Sequence, residues 1–382
     1  VLILADENIP YVREAFADLG EVCTLAGRAM DADAVRDAEL LLVRSITQVN
    51  ADLLEGSSVR FVATATIGED HIDQAYLAER GIGFSSAPGC NANSVGQYLT
   101  AALLELAHER EFELSSRTLG IIGHGNVGTA VERCARSLGM ACLMNDPPKQ
   151  RATGDAQYRS LDEVLEECRI LTVHVPLIEE GSDPTFHLIG EDLLSRVRTG
   201  TIIINTSRGS VADGNALRGA LEDGRVGACV LDVWEGEPMV DLALMANCAL
   251  ATPHIAGYSF DGKVNGTRQI YEAACAHLGR TPDWDPTPLL PAPECPEVTV
   301  SGELSPQEAV REAVRAVYDI HGDDAGLREL SEIPEVERAA HFDRLRKEYP
   351  RRREFLHTTV HIEPSNAKTE EVLRGLGFNA AS

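Results

Sequence analysis

One segment limits the fold of this chain more than any other. Gly123-His124-Gly125-Asn126-Val127-Gly128 follows the apolar run 118–122 without a break and opens a helical pattern that continues to about residue 138. Glycines spaced this way between a strand and a helix form the phosphate-binding turn of a βαβ unit. The first makes the tight turn, the second lets a pyrophosphate approach the backbone, and the third lets helix and strand pack closely. The helix N-terminus then offers free N–H groups and the positive end of its dipole. Asp146 ends the next apolar run, 18 residues beyond Gly128. A carboxylate there accepts hydrogen bonds from ribose hydroxyls and repels a 2′-phosphate, so the pattern selects NAD over NADP. Gly123, Gly125, Asn126, Val127, Gly128 and Asp146 are the first candidate cofactor contacts.

The rest of the chain agrees with that unit. Short apolar runs at 1–5, 40–44, 61–64, 83–86, 170–175, 201–205, 229–233 and 249–251 read as buried strands. Helical patterns fall between them, at 11–19, 93–108, 161–168, 191–197 and 213–222. Strands alternating with helices predict an α/β fold of doubly wound parallel sheets. At 280–296 six prolines crowd together, as in a stiff linker. Beyond them lie helical patterns near 305–318, 335–348 and 369–376 and a strand-like 358–362, enough for a small α+β domain.

A chain of 382 residues is expected to form two or three domains. Its net charge is −26, spread evenly along the chain, and only four of its 34 basic residues are Lys. Such acidity excludes a general nucleic-acid binder and docking on anionic lipid. The sharpest local reversal is 344–353, with six cations against one Glu; part of it is expected to help hold an anionic ligand. Nine Cys stand singly without a C-x-x-C, against both a disulfide framework and a zinc site and in keeping with a reducing cytosol. No apolar run approaches the ~18 residues of a membrane helix. The first residues, VLILA, read as a strand and not a leader, so a cytoplasmic protein is expected.

Three polar residues follow strands of the predicted sheet: Arg208 in NTSRGS, Glu237 in DVWEGEP and His254 in TPHIAGY. Ligands of such sheets bind at the carboxyl ends of the strands. Singly, each residue fits a surface ion pair or a satisfied core residue equally well. Together behind an NAD turn they suit hydride chemistry on a hydroxy acid. A His takes the hydroxyl proton, a carboxylate holds its ring, and an Arg fork grips the substrate carboxylate.

The segments HGNVG, NTSRGSVAD, LDVWEGEP and ATPHIAG resemble the D-isomer-specific 2-hydroxyacid dehydrogenase family. The resemblance implies two Rossmann-like domains: a discontinuous substrate-binding domain at 1–95 and 256–285, and an NAD-binding domain at 96–255. Residues 286–382 would be linker and C-terminal dimerisation domain. LADENIP, LLVRSIT, FVATATIGEDHID, SSAPGCNANSVGQY and ATPHIAGYSFDGK, with AVYDIHGDDAGLR and FDRLRKEYPRRRE in the tail, are similar to one branch of the family. Members of that branch are homodimers that oxidise 4-phospho-D-erythronate to 2-oxo-3-hydroxy-4-phosphobutanoate in the synthesis of pyridoxal 5′-phosphate (vitamin B6). The resemblance assigns catalysis to Arg208, Glu237 and His254, with His254 as proton acceptor, and substrate contacts to Ser45, Thr66 and Tyr258. Asp146, Val175, Thr206, Ser207, Asp232 and Gly257 would contact NAD, Asp232 at the nicotinamide carboxamide. Val175 stands where the family often has Thr, and Gln97 where it often has an acid. Two other readings share these residues: a dehydrogenase for 3-phosphoglycerate or glycerate, and an NAD-sensing binding protein of the same fold.

Overall fold

The computed structural model describes residues 1–381 and forms two compact units. One contains Val1–Asn91 and Ser259–Pro291; the other contains Ala92–Tyr258 and the chain from Ala292 onward. The first unit holds strands β1 (Leu2–Asp6), β2 (Glu21–Leu25), β3 (Leu40–Val43), β4 (Phe61–Thr64) and β5 (Gly83–Ser85), in the parallel order β2-β1-β3-β4-β5. Alternate residues of each strand point to opposite faces. Ile3, Ala5, Leu40, Leu42, Phe61 and Ala63 pack with Phe16 and Tyr271 on one face. Leu4, Leu41, Val43 and Val62 pack with Leu53 and Leu77 on the other. Both faces are covered, which is why these strands read as continuous apolar runs.

The second unit holds β6 (Thr118–Ile122), β7 (Ala141–Asn145), β8 (Ile170–Val173), β9 (Thr201–Asn205), β10 (Val226–Leu231) and β11 (Leu250–Ala251). Their order is β11-β10-β9-β8-β6-β7, again parallel throughout. Chain order reverses between β6 and β8, and the crevice at such a switch point is where open α/β sheets take ligands. The sheet's alternation repeats: Leu119, Ile121, Ile202, Ile204 and Val230 enter one core, and Ile122, Leu171, Val173, Ile203 and Leu231 the other. Local signals fix the helix ends. Ser160 and Glu163 form a reciprocal capping box at Leu161–Glu167.

The C-terminal segment packs into this second unit. Its three-stranded sheet, β12 (Glu297–Ser301), β13 (Thr359–Glu363) and β14 (Asn379–Ala381), is parallel, with Val298 beside Val360 and Val300 beside Ile362. Only the middle strand was legible from the sequence. β12 emerges straight from the proline cluster, and β14 is a three-residue edge with little apolar pattern. Val300, Val310, Val314, Phe355 and Leu373 share a core with Tyr98, Leu103 and Leu106 of the long helix Ala92–Glu109. Asp324 accepts a hydrogen bond from the Ala251 N–H at 2.7 Å, so the tail also fixes β11, the strand before His254. No helix among the described residues is long and apolar enough to cross a membrane.

Candidate active site

The glycine turn connects β6 to the helix Asn126–Ser137, as its spacing requires. Gly123 has φ +88°, and a Cβ there would lie 2.5 Å from the His174 carbonyl oxygen. A Cβ on Gly128 would lie 2.2 Å from the Gly123 oxygen. Gly125 differs: a Cβ on it would meet nothing within 4 Å, so its open face is the space a pyrophosphate would fill. Gly125 and Asn126 are exposed, and no side chain caps this helix, so its first N–H groups are available to an anion. Asp146 stands beside the turn, accepting from the His124 N–H at 2.9 Å and the Lys149 N–H at 3.0 Å. Each carboxylate oxygen keeps a lone pair for a ribose hydroxyl. The residues present fit a dinucleotide.

Val175 follows β8, its side chain against Gly123. The Thr206 hydroxyl lies 3.3 Å from His174 Nδ1, while His174 Nε2 lies 2.9 Å from the Thr172 hydroxyl. Burial pulls the His174 imidazole down to about 3, so it stays neutral between its two hydroxyls. The sequence reading gave His174 no role, although it directly follows a central strand at the switch point. Asn205 was also missed. Its Oδ1 accepts from the N–H and hydroxyl of Ser207, at 3.0 and 2.8 Å, and its Nδ2 donates to the Arg208 carbonyl at 2.9 Å. The buried Asn205 amide thus sets the shape of the turn that presents Arg208.

Three loops meet around Trp234, which is buried. A Cβ on Gly209 would lie 2.0 Å from the Trp234 carbonyl oxygen, so only glycine lets the Arg208 loop approach so closely. The Trp234 indole donates to the Thr252 carbonyl at 2.9 Å, and the Trp234 N–H donates to Glu237 Oε1 at 2.7 Å. Glu237 Oε2 lies 2.8 Å from His254 Nδ1. Burial works to raise the Glu237 carboxyl, but the charge and hydrogen bond of His254, the Trp234 N–H and the nearby Arg346 outweigh it. Glu237 is therefore held below the ordinary carboxylate range and ionised. An ionised carboxylate at Nδ1 takes the ring N–H and leaves Nε2 as the proton acceptor.

His254 has φ +58°, a left-handed conformation that costs about 1 kcal/mol or more for a residue with a side chain. Asp232 holds it there. Its Oδ1 accepts from the Thr252 hydroxyl at 2.7 Å and the Ile255 N–H at 2.8 Å; its Oδ2 accepts from the Ala256 N–H at 2.9 Å. Burial pushes the Asp232 carboxyl above its usual range, against the pull of His254 and these donors. In this structure Asp232 pins the His254 loop, leaving one Oδ2 lone pair for the carboxamide contact expected of it. Gly257 and Tyr258 follow on the same loop, the Tyr258 N–H bonded to the Ile255 carbonyl at 2.8 Å.

The other unit carries the remaining candidates. Ser45 is exposed in the turn after β3, and Thr66 follows β4, the strand beside it. The Thr66 hydroxyl lies 2.8 Å from that of Thr64, which lies 3.1 Å from His71 Nε2. Among the described residues no group of acids, His and Cys could hold a metal ion.

Residues 96–256 match the family model described as D-isomer specific 2-hydroxyacid dehydrogenase, NAD binding domain. Residues 289–377 match a model described only as a domain of unknown function. The erythronate-4-phosphate dehydrogenase of Azotobacter vinelandii is 48% identical over 375 residues, covering 98% of each chain. That of Pseudomonas fluorescens is 46% identical over 382 residues and the whole of both chains. That of Klebsiella pneumoniae is 45% identical over 378 residues, 99% of this chain and 98% of its own. Among solved structures, D-lactate dehydrogenase from Aquifex aeolicus, complexed with NAD and lactic acid, aligns with a TM-score of 0.60 at 26% identity. That alignment covers 73% of this chain and 96% of the other.

Proposed function

The chain belongs to the erythronate-4-phosphate dehydrogenase family, and from that premise we propose that it oxidises the C2 hydroxyl of 4-phospho-D-erythronate, giving 2-oxo-3-hydroxy-4-phosphobutanoate. The observation that carries the reading is the Glu237–His254 pair at 2.8 Å, tied through Trp234 to the Arg208 loop and pinned by Asp232. Bound NAD supplies the hydride acceptor. Gly123, Gly125, Asn126, Val127 and Gly128 would hold its pyrophosphate, Asp146 its ribose, and Val175, Thr206, Ser207, Asp232 and Gly257 its nicotinamide end. Arg208 grips the substrate C1 carboxylate and polarises the reacting oxygen. His254 Nε2 takes the hydroxyl proton as the C2 hydride leaves, and Glu237 steadies the imidazolium that forms. Ser45, Thr66 and Tyr258 contact the remainder of the substrate.

The first unit would then bind substrate, and the C-terminal segment would join two copies into a homodimer. We place the enzyme in the cytoplasm and its product in pyridoxal 5′-phosphate synthesis. The nine cysteines, none in a disulfide, support the location. Purified protein should form NADH from 4-phospho-D-erythronate and not at comparable kcat/KM from 3-phosphoglycerate. Equal or faster turnover of 3-phosphoglycerate would overturn the substrate assignment. Light scattering should give twice the chain mass; a monomer at micromolar concentration would remove the dimer.

A further inference from the structure

Part of the cation-rich stretch 344–353 was expected to help hold the substrate phosphate, and its members have different partners in the structure. Arg344 lies 2.6 Å from His341 Nδ1, and Arg353 2.7 Å from His357 Nε2. Arg352 is buried, 4.2 Å above the Tyr318 ring, donating to Ser94 Oγ at 3.0 Å. Arg346 instead reaches the His254 loop. It projects from the helix Glu335–Lys347, its guanidinium 5.7 Å from the centroid of the Tyr258 ring and 5.8 Å from that of Phe342. Tyr258 is braced on another side by the edge of Tyr349, 5.8 Å between centroids at 85°. Arg346 Nε is buried without a hydrogen-bond partner. A half-buried guanidinium held over the Tyr258 and Phe342 rings with its Nε–H unpaired is a costly arrangement for the fold alone.

We propose that Arg346 is a positioning residue of the active site, fixing the Tyr258 ring and supplying a standing positive charge to the Glu237–His254 pair. The proposal rests on the reading of that pair as catalytic. It gives the C-terminal segment a part in the chemistry beyond joining two copies. The titratable and charged groups around this corner are His254 and Tyr258 of the loop, Asp232 just after β10, Glu237, Tyr349 with Asp323 and Arg352 behind it, and Arg346 itself. Burial opposes the Arg346 charge, and Tyr258, Glu237 and Asp232 more than offset it. Arg346 adds the smallest of the pulls that hold the Glu237 carboxyl down, so removing its charge should let Glu237 take up a proton at somewhat higher pH and loosen its hold on His254.

The test compares Arg346→Gln and Arg346→Lys with the wild-type enzyme across pH, with 4-phospho-D-erythronate and NAD. Arg346→Gln should lower kcat roughly tenfold and raise KM less than about threefold. Its acidic limb should move up by about half a pH unit or more, with NAD affinity by fluorescence titration unchanged. Arg346→Lys keeps the charge and should keep the limb in place. A wild-type limb and kcat in Arg346→Gln would overturn the proposal, and so would an effect confined to KM. If Arg346→Gln does not fold, Arg346→Lys decides: a limb that stays supports the proposal and one that moves refutes it. If the wild type turns over no hydroxy acid, the functional reading fails by itself. The Glu237 carboxyl titration by carbon NMR then tests Arg346 without turnover: a midpoint raised in Arg346→Gln supports it, an unmoved one dismisses it.

Discussion

The two large sheets of this chain wind alike and end differently. Each begins with its second strand outside its first, then runs outward from the third, so each has a switch point between its first strand and its third. In the first unit β1 ends at Asp6, a buried carboxylate that accepts from the Asn8 N–H at 2.8 Å. In the second, β6 ends at the glycine turn and β8 at His174. The candidates of the first unit are hydroxyls, one of them exposed. The second holds the ionisable candidates Arg208, Glu237, His254 and Asp232, with short bonds fixing two of them: one to Glu237 from the Trp234 N–H, three to Asp232. The winding provides a crevice; the loops provide the chemistry. A site that stabilises developing charge needs dipoles fixed in advance, whereas a hydroxyl contact to substrate can form as substrate arrives.

The sharpest way to break this contrast is to remove one residue from each side. His254→Ala should lower kcat by roughly 10³-fold, the scale of a lost general base, with NAD binding intact by fluorescence titration. Glu237→Gln should fall about 10²-fold, because an amide can hold the ring but cannot balance the imidazolium. Ser45→Ala and Thr66→Ala should act mainly on KM, by less than about tenfold, the value of one hydrogen bond. A Ser45→Ala loss equal to that of His254→Ala would erase the distinction between the two units.

Within the glycine turn the contrast is finer. Gly123→Ala and Gly128→Ala place a methyl against backbone oxygens at 2.5 and 2.2 Å and should lower the melting temperature by several degrees. Gly125→Ala meets open space and should melt like the wild type, yet bind NAD at least about tenfold more weakly. If all three behaved alike, the second glycine would not be facing the cofactor.

Much of the second unit's equipment was legible because local chemistry dictates it. A strand feeding Gly-x-Gly-x-x-Gly has few other uses, and charged residues after successive buried strands stand out. The organisers of the site were not legible. Trp234 and His174 act through bonds to other loops, Asn205 through bonds that fold its own turn, and nothing in their immediate neighbours announces those bonds. Asp232 was identified as a cofactor contact, and its three bonds to the His254 loop became visible only with the fold. Arg346 lay inside a recognised cationic run, but a helical face had to be packed on Tyr258 before one Arg could be told from the other five cations. The first unit's Ser45 and Thr66 came from resemblance alone, since a hydroxyl after a strand carries no pattern of its own.

The smallest expected effect concerns acid and stability, and it extends the contrast to the tail. Asp323 Oδ2 accepts from the hydroxyls of Tyr318 at 2.9 Å and Tyr349 at 3.0 Å. Burial pushes this carboxyl up to about 6, against the pull of those hydroxyls and of Arg352. A folded value above the unfolded one means that the native state holds the proton more tightly. The stability this lends is complete below the unfolded value near 3.8, fades as pH rises towards 6, and is gone above it. Asp323→Asn removes the titration while its side-chain oxygen still accepts from both tyrosines. Its stability relative to wild type should therefore improve between pH 5 and pH 7 by on the order of 1 kcal/mol, then level off. Urea unfolding at several pH values reads this directly. A difference that stayed flat from pH 5 to pH 7 would show that Asp323 is ionised throughout. The second unit would then hold one more buried charge at neutral pH, and Arg352 would be its counter-ion.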